Sequence, residues 1–317
     1  MEKNTNASSK KQSMNSFRKK QLIFVWGWLV IPIISWLIFY WYVNFASFTQ
    51  AFQDPITGEW SMVNFQEVWK SITAGSSSQN SLAIGFKNTM IYFFVDVLIK
   101  YPIQIVVCYF LYKQIWGYKF YRYVFYLPAI ISGVAIAGMY KQFIAADGPM
   151  GELLTFFGVN IPRGGFLGNP ETATWAIVAY TIWTCVYGHM LLICGAMNRI
   201  PIEVLESARL EGVTPMRELL SLILPLIWPT LSTLLILTCT GVLNASGPIL
   251  LLTGNDTASL GTTTLSFWIF DKVYNFGTKT DAQYNLVSAT GLAMTLVAFP
   301  IVMLFRKLLD YVPTAEY

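Results

Sequence analysis

The sequence predicts an all-α integral membrane protein with six transmembrane helices and one structured loop between spans four and five. Of its 317 residues, 55% are hydrophobic and only 12% are charged, and the mean hydropathy is +0.50. A soluble domain of this length does not need so many apolar residues to fill its core. The apolar runs are continuous, without the alternation of a membrane barrel, which favours helices over strands.

Six runs are long enough to cross a hydrocarbon layer, which takes about 20 helical residues. The predicted spans are residues 22–45, 88–111, 122–143, 173–197, 222–246 and 284–305. The first run is too long for the apolar region of a secretion signal, and no small-residue cleavage pattern follows it, so it is interpreted as a retained span. Together these runs predict one transmembrane domain over residues 21–317.

The first twenty residues are rich in Lys, Ser and Asn and contain almost no apolar side chains. Such a composition cannot support a packed core. We therefore expect residues 1–20 to form a disordered basic tail, able to touch anionic membrane lipid.

Positive charges are distributed unequally between the two sides of the predicted bundle. Six Lys or Arg residues precede span one, three lie between spans two and three, three lie between spans four and five, and two follow span six. The loops on the other side hold six, beside nine acidic residues. The positive-inside rule then predicts that both termini and the loop between spans four and five are cytoplasmic. This asymmetry accounts for the net charge of +4, so no nucleic-acid partner is expected.

The loop over residues 201–225 has the local signals of a helix, a turn and a second helix. Pro201 can begin a helix, because its missing amide proton has no intrahelical partner in the first turn. Gly212 supplies the left-handed residue that ends a helix, and Thr214 and Pro215 supply the cap and first residue of the next. The first helix is therefore predicted to be short, with fixed ends.

Within this loop, Glu206-Ser207-Ala208-Arg209-Leu210-Glu211-Gly212 is followed after nine residues by Leu222-Ile223-Leu224-Pro225. This pattern resembles the cytoplasmic loop of permeases of binding-protein-dependent ABC importers, which reads Glu-Ala-Ala, three residues, Gly, nine residues and Ile-x-Leu-Pro. Ser207 replaces the first Ala and Leu222 replaces the Ile, and both are small changes. The spacing is highly specific for importer permeases.

The resemblance covers roughly residues 85–310 and extends to permeases of carbohydrate uptake. It is similar to the larger maltose permease subunit and to the polysaccharide and lipoprotein-associated permeases. The residues that carry this wider similarity are Phe86-Lys87-Asn88-Thr89, Phe125-Tyr126-Leu127-Pro128, Trp183, Ile200-Pro201 and Leu252-Thr253-Gly254-Asn255.

The resemblance implies a type I permease in the bacterial plasma (inner) membrane. It implies a second homologous permease subunit, two ATP-hydrolysing subunits, an extracytoplasmic solute-binding protein and a carbohydrate substrate. The chain itself is expected to be no enzyme and to hold no cofactor, because it lacks a phosphate-binding loop and ATP and Mg would bind to the partner ATPase subunits. The residues implied in coupling to the ATPase are Leu205, Glu206, Ser207, Ala208, Gly212, Leu224 and Pro225.

Each coupling residue of the motif has an implied role. Gly212 would permit the turn, Ala208 would permit close contact, and Glu206 would offer a carboxylate to a basic or amide partner. The alternative is that Glu206 is a solvated charge.

Asp96 and Lys100 stand at i and i+4 inside span two. A lone charge at the bilayer centre costs about 2.5 to 3.5 kcal/mol on insertion scales, so the two are expected to pair and to face the bundle. Either they brace the bundle beside a kink at Pro102, or they line the substrate path.

A sugar path needs aromatic rings for stacking and hydroxyls or amides for hydrogen bonds. Spans four and five offer both, and the similarity to the maltose permease subunit implies pocket positions at Thr181, Thr184 and Thr238. The candidate path residues are Thr181, Trp183, Thr184, Tyr187, Thr238 and Asn244. The alternative for each of them is helix packing, since Thr and Asn commonly bridge membrane helices.

Other chemistry has less support. His189 is the single histidine and cannot build a metal site alone, so a hydrogen-bonded position in the bundle is expected and no metal. Three alternative functions are a self-sufficient secondary transporter, a permease for a non-sugar solute, and a membrane sensor or scaffold. The first would need an ion-coupling site, and Asp96 is the single carboxylate in a predicted span.

Overall fold

The computed structural model describes residues 2–73, 81–159, 161–162, 164–242, 247–254, 256–274 and 281–311, with side chains from residue 19 onward except at residues 81, 242, 247 and 281. Most of this part of the chain is helical, which confirms the predicted all-α class. The α-helices are α1 (Glu2–Trp36), α2 (Val43–Ala51), α3 (Val63–Thr73), α4 (Ser81–Val95), α5 (Tyr101–Tyr112), α6 (Tyr118–Ile130), α7 (Gly133–Phe143), α8 (Pro149–Phe156), α9 (Ala173–Trp183), α10 (Tyr187–Met197), α11 (Ile202–Leu210), α12 (Pro215–Arg217), α13 (Leu224–Val242), α14 (Gly247–Thr253), α15 (Leu265–Tyr274) and α16 (Asp281–Asp310). Three π-helical segments, Leu37–Tyr42, Asp96–Lys100 and Glu218–Ile223, join neighbouring α-helices into longer rods.

Five of these rods are long and apolar enough to cross a membrane, and a bent pair of helices completes the predicted six. We refer to them as spans one to six in chain order. They are Lys19–Ala51, Leu82–Tyr112, the pair Tyr118–Ile130 and Gly133–Phe143, Ala173–Met197, Pro215–Gly241 and Ala282–Asp310. Most spans extend beyond the predicted ends, because helix continues past the hydrophobic run wherever no breaker stops it.

Span three is broken, whereas the sequence analysis predicted a continuous helix over residues 122–143. Its two halves meet at an angle of 107°. Pro128 lies inside α6 and has no amide proton to donate, which weakens the helix there, and α6 ends two residues later at Ile130. Ile131 and Ser132 then take extended backbone conformations before α7 begins.

The backbone of residues 2–20 is helical and continuous with span one. The assignment of these residues to a disordered basic tail stays a prediction. No Gly or Pro occurs before Gly27, so nothing in this segment interrupts the hydrogen-bond ladder that the apolar span begins. The most apolar stretch of span one is covered by no other part of the described chain.

Span five begins earlier than predicted. Its helix starts at Pro215, so the second half of the predicted loop over residues 201–225 belongs to the span itself. The predicted end of this span at residue 246 lies outside the described residues.

Two of the π-helical segments end two residues before a proline. Lys100 is followed by Pro102, and Ile223 is followed by Pro225. Because proline cannot donate to the carbonyl four residues earlier, the ladder shifts by one residue, and the amide of Leu224 donates to the carbonyl of Leu219. The prolines of span two and of the loop motif therefore widen one helical turn each.

The buried core joins spans two, four and five. One cluster contains Tyr109 from span two, Met197 from span four, Leu205 from α11 and Leu219 from span five. Trp228 also donates from its indole nitrogen to the Leu309 carbonyl at 3.0 Å, which joins span five to span six. The short helix α11 is thus packed against the same core that holds the spans together.

The Phe86-Lys87-Asn88-Thr89 segment has a structural role. The buried Asn88 amide donates to the carbonyls of Gly261 at 2.7 Å and Thr263 at 2.8 Å. The Thr89 hydroxyl accepts from the amide of Leu265 at 3.1 Å. These bonds fix the loop before α15 onto the start of span two.

Candidate functional site

A cavity of about 350 Å³ lies between spans two, four and five. Charged, amide, hydroxyl and imidazole groups converge on it from three separate helices. Its lining includes Asp96, Lys100, Tyr101, Gln104, Thr181, Thr184, Cys185, Tyr187, Gly188, His189, Leu237, Thr238, Gly241 and Pro248. We call it the central cavity.

The predicted pairing of Asp96 with Lys100 is present. The Lys100 ammonium lies 2.5 Å from Asp96 Oδ1, and the two side chains retain 20% and 15% of their exposure respectively. The pair joins two turns of one helix, so it does not itself tie span two to a neighbour. Both side chains line the central cavity.

Gln104 is a member of the site that sequence reasoning missed. Its side-chain amide donates to the Cys185 carbonyl at 2.6 Å, and its Oε1 lies 3.1 Å from His189 Nδ1. His189 is therefore a hydrogen-bonded bundle residue, as predicted. The available signal was spacing, because Gln104 lies four residues after Lys100 and so shares a helix face with it.

Four of the six candidate path residues come together. Thr181, Thr184, Tyr187 and Thr238 all line the central cavity. The hydroxyls of Thr181, Thr184 and Thr238 donate to carbonyls of their own helices at 2.8 to 2.9 Å, so they do not bridge helices in these bonds. Each hydroxyl oxygen keeps acceptor capacity toward the cavity. Asn244 lies outside the described residues.

Trp183 lies elsewhere. It is 53% exposed, and its ring stacks on Tyr140 with centroids 6.0 Å apart and planes at 20°. Both belong to a second, mainly apolar cavity of about 920 Å³ beside α7 and α8. A residue two positions after Thr181 is rotated by about 200° around an α-helix, so the two point in different directions.

The loop between spans four and five has the predicted helix, turn and helix. The helix α11 runs from Ile202 to Leu210, and Gly212 follows it with φ +71. Thr214 takes the cap position, although its side chain makes no capping hydrogen bond, and Pro215 follows as the first residue of α12. A cavity of about 400 Å³ lies beside this turn, lined by Ala208, Glu211, Gly212, Val213, Thr214, Arg217, Ser221 and Leu222.

The helix α11 has one face buried against its own bundle and one face exposed, and Ala208 lies on the buried face. Leu205 and Ala208 are buried within this chain, so the small side chain of Ala208 permits close packing of α11 on its own bundle. Glu206 and Ser207 are exposed, and Leu210 is 90% exposed. Ile202, Glu203 and Arg209 are exposed as well, so the surface that α11 offers to another molecule combines charged and apolar side chains.

The loop is attached to span two by contacts that the sequence analysis did not predict. The Lys113 ammonium lies 2.7 and 2.8 Å from the two carboxylate oxygens of Glu218. The Tyr109 hydroxyl donates to the Pro215 carbonyl at 3.0 Å. These partners are separated by more than a hundred residues, and no local spacing rule reaches that far.

Among the residues with described side chains, no group of three or more His, Cys, Asp or Glu side chains is arranged to hold a metal ion. The site is therefore a polar cavity within a helical bundle, with an attached loop helix that presents an acid and a large apolar side chain.

Comparison with known protein families identifies the bundle. The family model for the binding-protein-dependent transport system inner membrane component matches residues 73–315. The chain belongs to this family. The matched region contains spans two to six and the whole loop from α11 to Pro225, so the family confirms both the predicted permease class and the membrane location.

Curated relatives in this family include named sugar permeases. The chain is 26% identical over 288 residues to the multiple sugar-binding transport system permease protein MsmF of Streptococcus mutans, covering 88% of this chain and 93% of the relative. It is 24% identical over 232 residues to the lactose transport system permease protein LacF of Rhizobium radiobacter, covering 73% and 68%. It is 29% identical over 179 residues to the trehalose/maltose transport system permease protein MalF of Thermococcus litoralis, covering 56% and 55%.

Among solved structures, the fold is similar to a chain of a bacterial ABC transporter involved in the import of the acidic polysaccharide alginate. The TM-score is 0.76 with 20% sequence identity, and the match covers 93% of this chain and 98% of that chain. A second structure of a bacterial alginate ABC transporter, in complex with an alginate pentasaccharide-bound periplasmic protein, matches with a TM-score of 0.74 and 21% identity. These likenesses establish the type of helical bundle.

Proposed function

We propose that this chain forms the membrane path of a carbohydrate ABC importer and couples sugar passage to ATP hydrolysis by separate subunits. The observation that carries the proposal is the convergence of polar side chains from spans two, four and five on the central cavity. In a chain of a binding-protein-dependent transport family, such a cavity is the natural site for the transported solute.

The chemistry of the cavity suits a sugar. Hydroxyl groups of a sugar must exchange their bonds to water for bonds to protein. The three threonine hydroxyl oxygens can accept hydrogen bonds, Lys100 can donate, and Tyr187, at 36% exposure, offers a ring. The names of the relatives MsmF, LacF and MalF support the same class of substrate.

The Asp96–Lys100 pair adds to the case for a neutral or weakly charged solute. Because the two charges compensate one another at 2.5 Å, the central cavity gains no net charge from them. A sugar hydroxyl could accept from the ammonium and donate to the carboxylate at the same time. We infer that the pair lines the path, in preference to the alternative that it braces the bundle.

Coupling would use α11. In the proposed complex, each of two permeases inserts its loop helix into one ATP-hydrolysing subunit, and these subunits would hold the ATP and Mg. Glu206, Ser207 and Leu210 would make that contact, while the buried Leu205 and Ala208 would carry its movement into the bundle. The result would be a switch between two arrangements of the spans.

The remaining partners follow from the same proposal. An extracytoplasmic solute-binding protein would deliver the sugar, and a second permease with surrounding lipid would cover span one, which the described chain leaves exposed. The distribution of Lys and Arg supports cytoplasmic termini and a cytoplasmic α11.

Cysteine cross-linking tests the docking of α11. We expect Ser207→Cys to form a cross-link with a surface cysteine of the ATPase subunit in membranes that contain the full complex. Glu152→Cys on α8 is a matched control, because it is also exposed but lies on the opposite side of the predicted topology. A Ser207→Cys variant that remains accessible to a water-soluble maleimide and never cross-links, while sugar still accumulates, would refute the proposal.

Uptake by the complex tests the path. We expect Thr184→Val and Thr238→Val to lower uptake of the sugar bound by the solute-binding protein, since each removes one hydroxyl from the cavity at nearly constant volume. Thr233→Val is the matched control, because Thr233 is an exposed span-five residue whose hydroxyl also bonds within its helix. Equal uptake by all three variants would contradict the assignment of the cavity.

A further inference from the structure

The loop is held to span two by a buried ion pair and a hydrogen bond. Glu218 is 3% exposed, and its carboxylate receives the Lys113 ammonium at both oxygens, 2.7 and 2.8 Å away. The Lys113 ammonium also lies 5.9 Å from the centroid of the Tyr109 ring, and the hydroxyl of that ring donates to the Pro215 carbonyl. The Lys113–Glu218 pair and the Tyr109–Pro215 hydrogen bond thus join the end of span two to the start of span five.

The energetics favour a tight connection. A buried carboxylate without a partner is strongly unfavourable. Separating Glu218 from Lys113 while Glu218 remains buried would therefore cost a large free energy. A two-point contact between an ammonium and a carboxylate also restricts direction more than a single bond does. Any displacement of residues 215–218 therefore has to move the end of span two with it or break the pair.

Span two connects this contact directly to the central cavity. From Lys113 the helix continues through Gln104 and Lys100 to Asp96, and these three side chains line the cavity. Lys113 and Lys100 are separated by about 20 Å along the axis at 1.5 Å per residue. A helix transmits displacement over such a length more readily than a loop, and the π-helical turn at Asp96–Lys100 is a place where it can change its winding.

The helix α11 also packs against the residues around the Lys113–Glu218 pair. Its buried Leu205 belongs to the apolar cluster that also contains Tyr109 and Leu219. Only a short turn with Gly212 separates α11 from Pro215. A displacement of α11 can therefore act on Tyr109 through this cluster and on Glu218 through the turn.

We propose that Lys113, Glu218 and Tyr109 are positioning residues that make span two move with the loop, so that ATP-driven movement of α11 reaches the central cavity through span two. This inference rests on the proposed function, since it requires α11 to be the part that the ATPase moves. Under this proposal span two carries the movement to the cavity, and two of the three residues involved, Lys113 and Tyr109, lie outside the loop motif.

Hydrogen–deuterium exchange on the complete transporter tests the link, with Mg·ATP and vanadate as the probe. In the unaltered complex we expect the probe to change exchange in two peptides, one covering residues 202–214 and one covering residues 96–112. Glu218→Gln keeps the shape of the side chain. The Lys113 side chain is 21% exposed, so its ammonium can be solvated when the carboxylate is removed. We expect this variant to retain the change in the loop peptide and to lose about half or more of the change in span two.

Charge reversal and a matched control separate transmission from folding. Lys113→Glu with Glu218→Lys restores an ion pair and should restore the response of span two. Lys119→Met removes an exposed positive charge six residues away and should leave both responses unchanged. If Glu218→Gln does not assemble, Tyr109→Phe carries the same test, because it removes only the hydroxyl that bonds to Pro215.

Two results would overturn different statements. A response of span two that is equal in the unaltered complex and in every link variant would refute the link. No response of the loop peptide in the unaltered complex would instead refute the proposed docking of α11.

Discussion

Tyr101 donates its hydroxyl proton to the carbonyl oxygen of Leu231 at 2.5 Å, and this bond joins span two to span five beside the central cavity. Both residues are buried, with 6% and 1% exposure. Little water can reach the bond, so breaking it would leave a buried hydroxyl and a buried carbonyl without partners. The same two spans are joined again at Lys113 and Glu218, near the loop.

The Tyr101 bond can be tested by removing one oxygen. We expect Tyr101→Phe to lower the free energy of unfolding by about 1 kcal/mol, the usual net value of a neutral hydrogen bond. The thermal midpoint of the purified complex measures this loss. Tyr123→Phe is the control, since Tyr123 is 74% exposed and its midpoint should not change. Equal midpoints for both variants would contradict a stabilising role.

The Asn88 side chain is expected to be more costly to remove. Asn88→Ala removes both donors that hold the Gly261 and Thr263 carbonyls, at about 1 to 3 kcal/mol for a buried polar group left without a partner. We predict a marked fall in the yield of folded complex. Lys87→Ala at the adjacent exposed position should fold normally, and a normal yield from Asn88→Ala would show that another group holds this loop.

Gly212 is predicted to be required for its backbone conformation. With φ +71, a β-branched residue is strained there by about 1 to 2 kcal/mol, although a Cβ atom would meet no neighbour within 4 Å. Gly212→Val should therefore lower transport-coupled ATP hydrolysis by about tenfold. Gly212→Asn should retain most of it, because Asn adopts the left-handed conformation more readily. Similar activity in the two variants would mean that the turn does not depend on φ at this position.

Asp96→Asn distinguishes a path residue from a bracing residue. The pair bonds within one helix and faces the cavity, so we expect the complex to assemble and uptake to fall about tenfold, equivalent to 1.4 kcal/mol. Size-exclusion chromatography and vesicle uptake measure the two quantities. Asp256→Asn, at an exposed position, is the control. Loss of assembly with Asp96→Asn would support bracing instead.

The sequence allowed the spans, the loop and six of the residues that line the cavity to be predicted, because these depend on local signals. Apolar length identifies a span, and Pro201, Gly212 and Pro215 determine where the short helices begin and end. The pairing of Asp96 with Lys100 follows from the i and i+4 spacing on one helix. Thr181 and Thr184 share a helix face because they are three residues apart.

The remaining features depend on tertiary packing. The 107° break in span three requires Ile131 and Ser132 to be extended, and a proline alone does not determine whether a helix bends or ends. Trp183 was assigned to the path by its type, whereas the phase of its helix directs it toward Tyr140. The Lys113–Glu218 pair requires knowledge of which span ends lie side by side.

The widened turn at Asp96–Lys100 makes span two unusually tolerant of one kind of change. A π-helical turn holds one residue more than an α-helical turn, so deleting a single residue there would return the ladder to regular α-helix. Elsewhere in the rod, the same deletion would rotate every later side chain by about 100° and turn Gln104, Tyr109 and Lys113 away from their partners. Length variation in this helix should therefore be accommodated at these five residues, with the anchoring contacts beyond them left in phase.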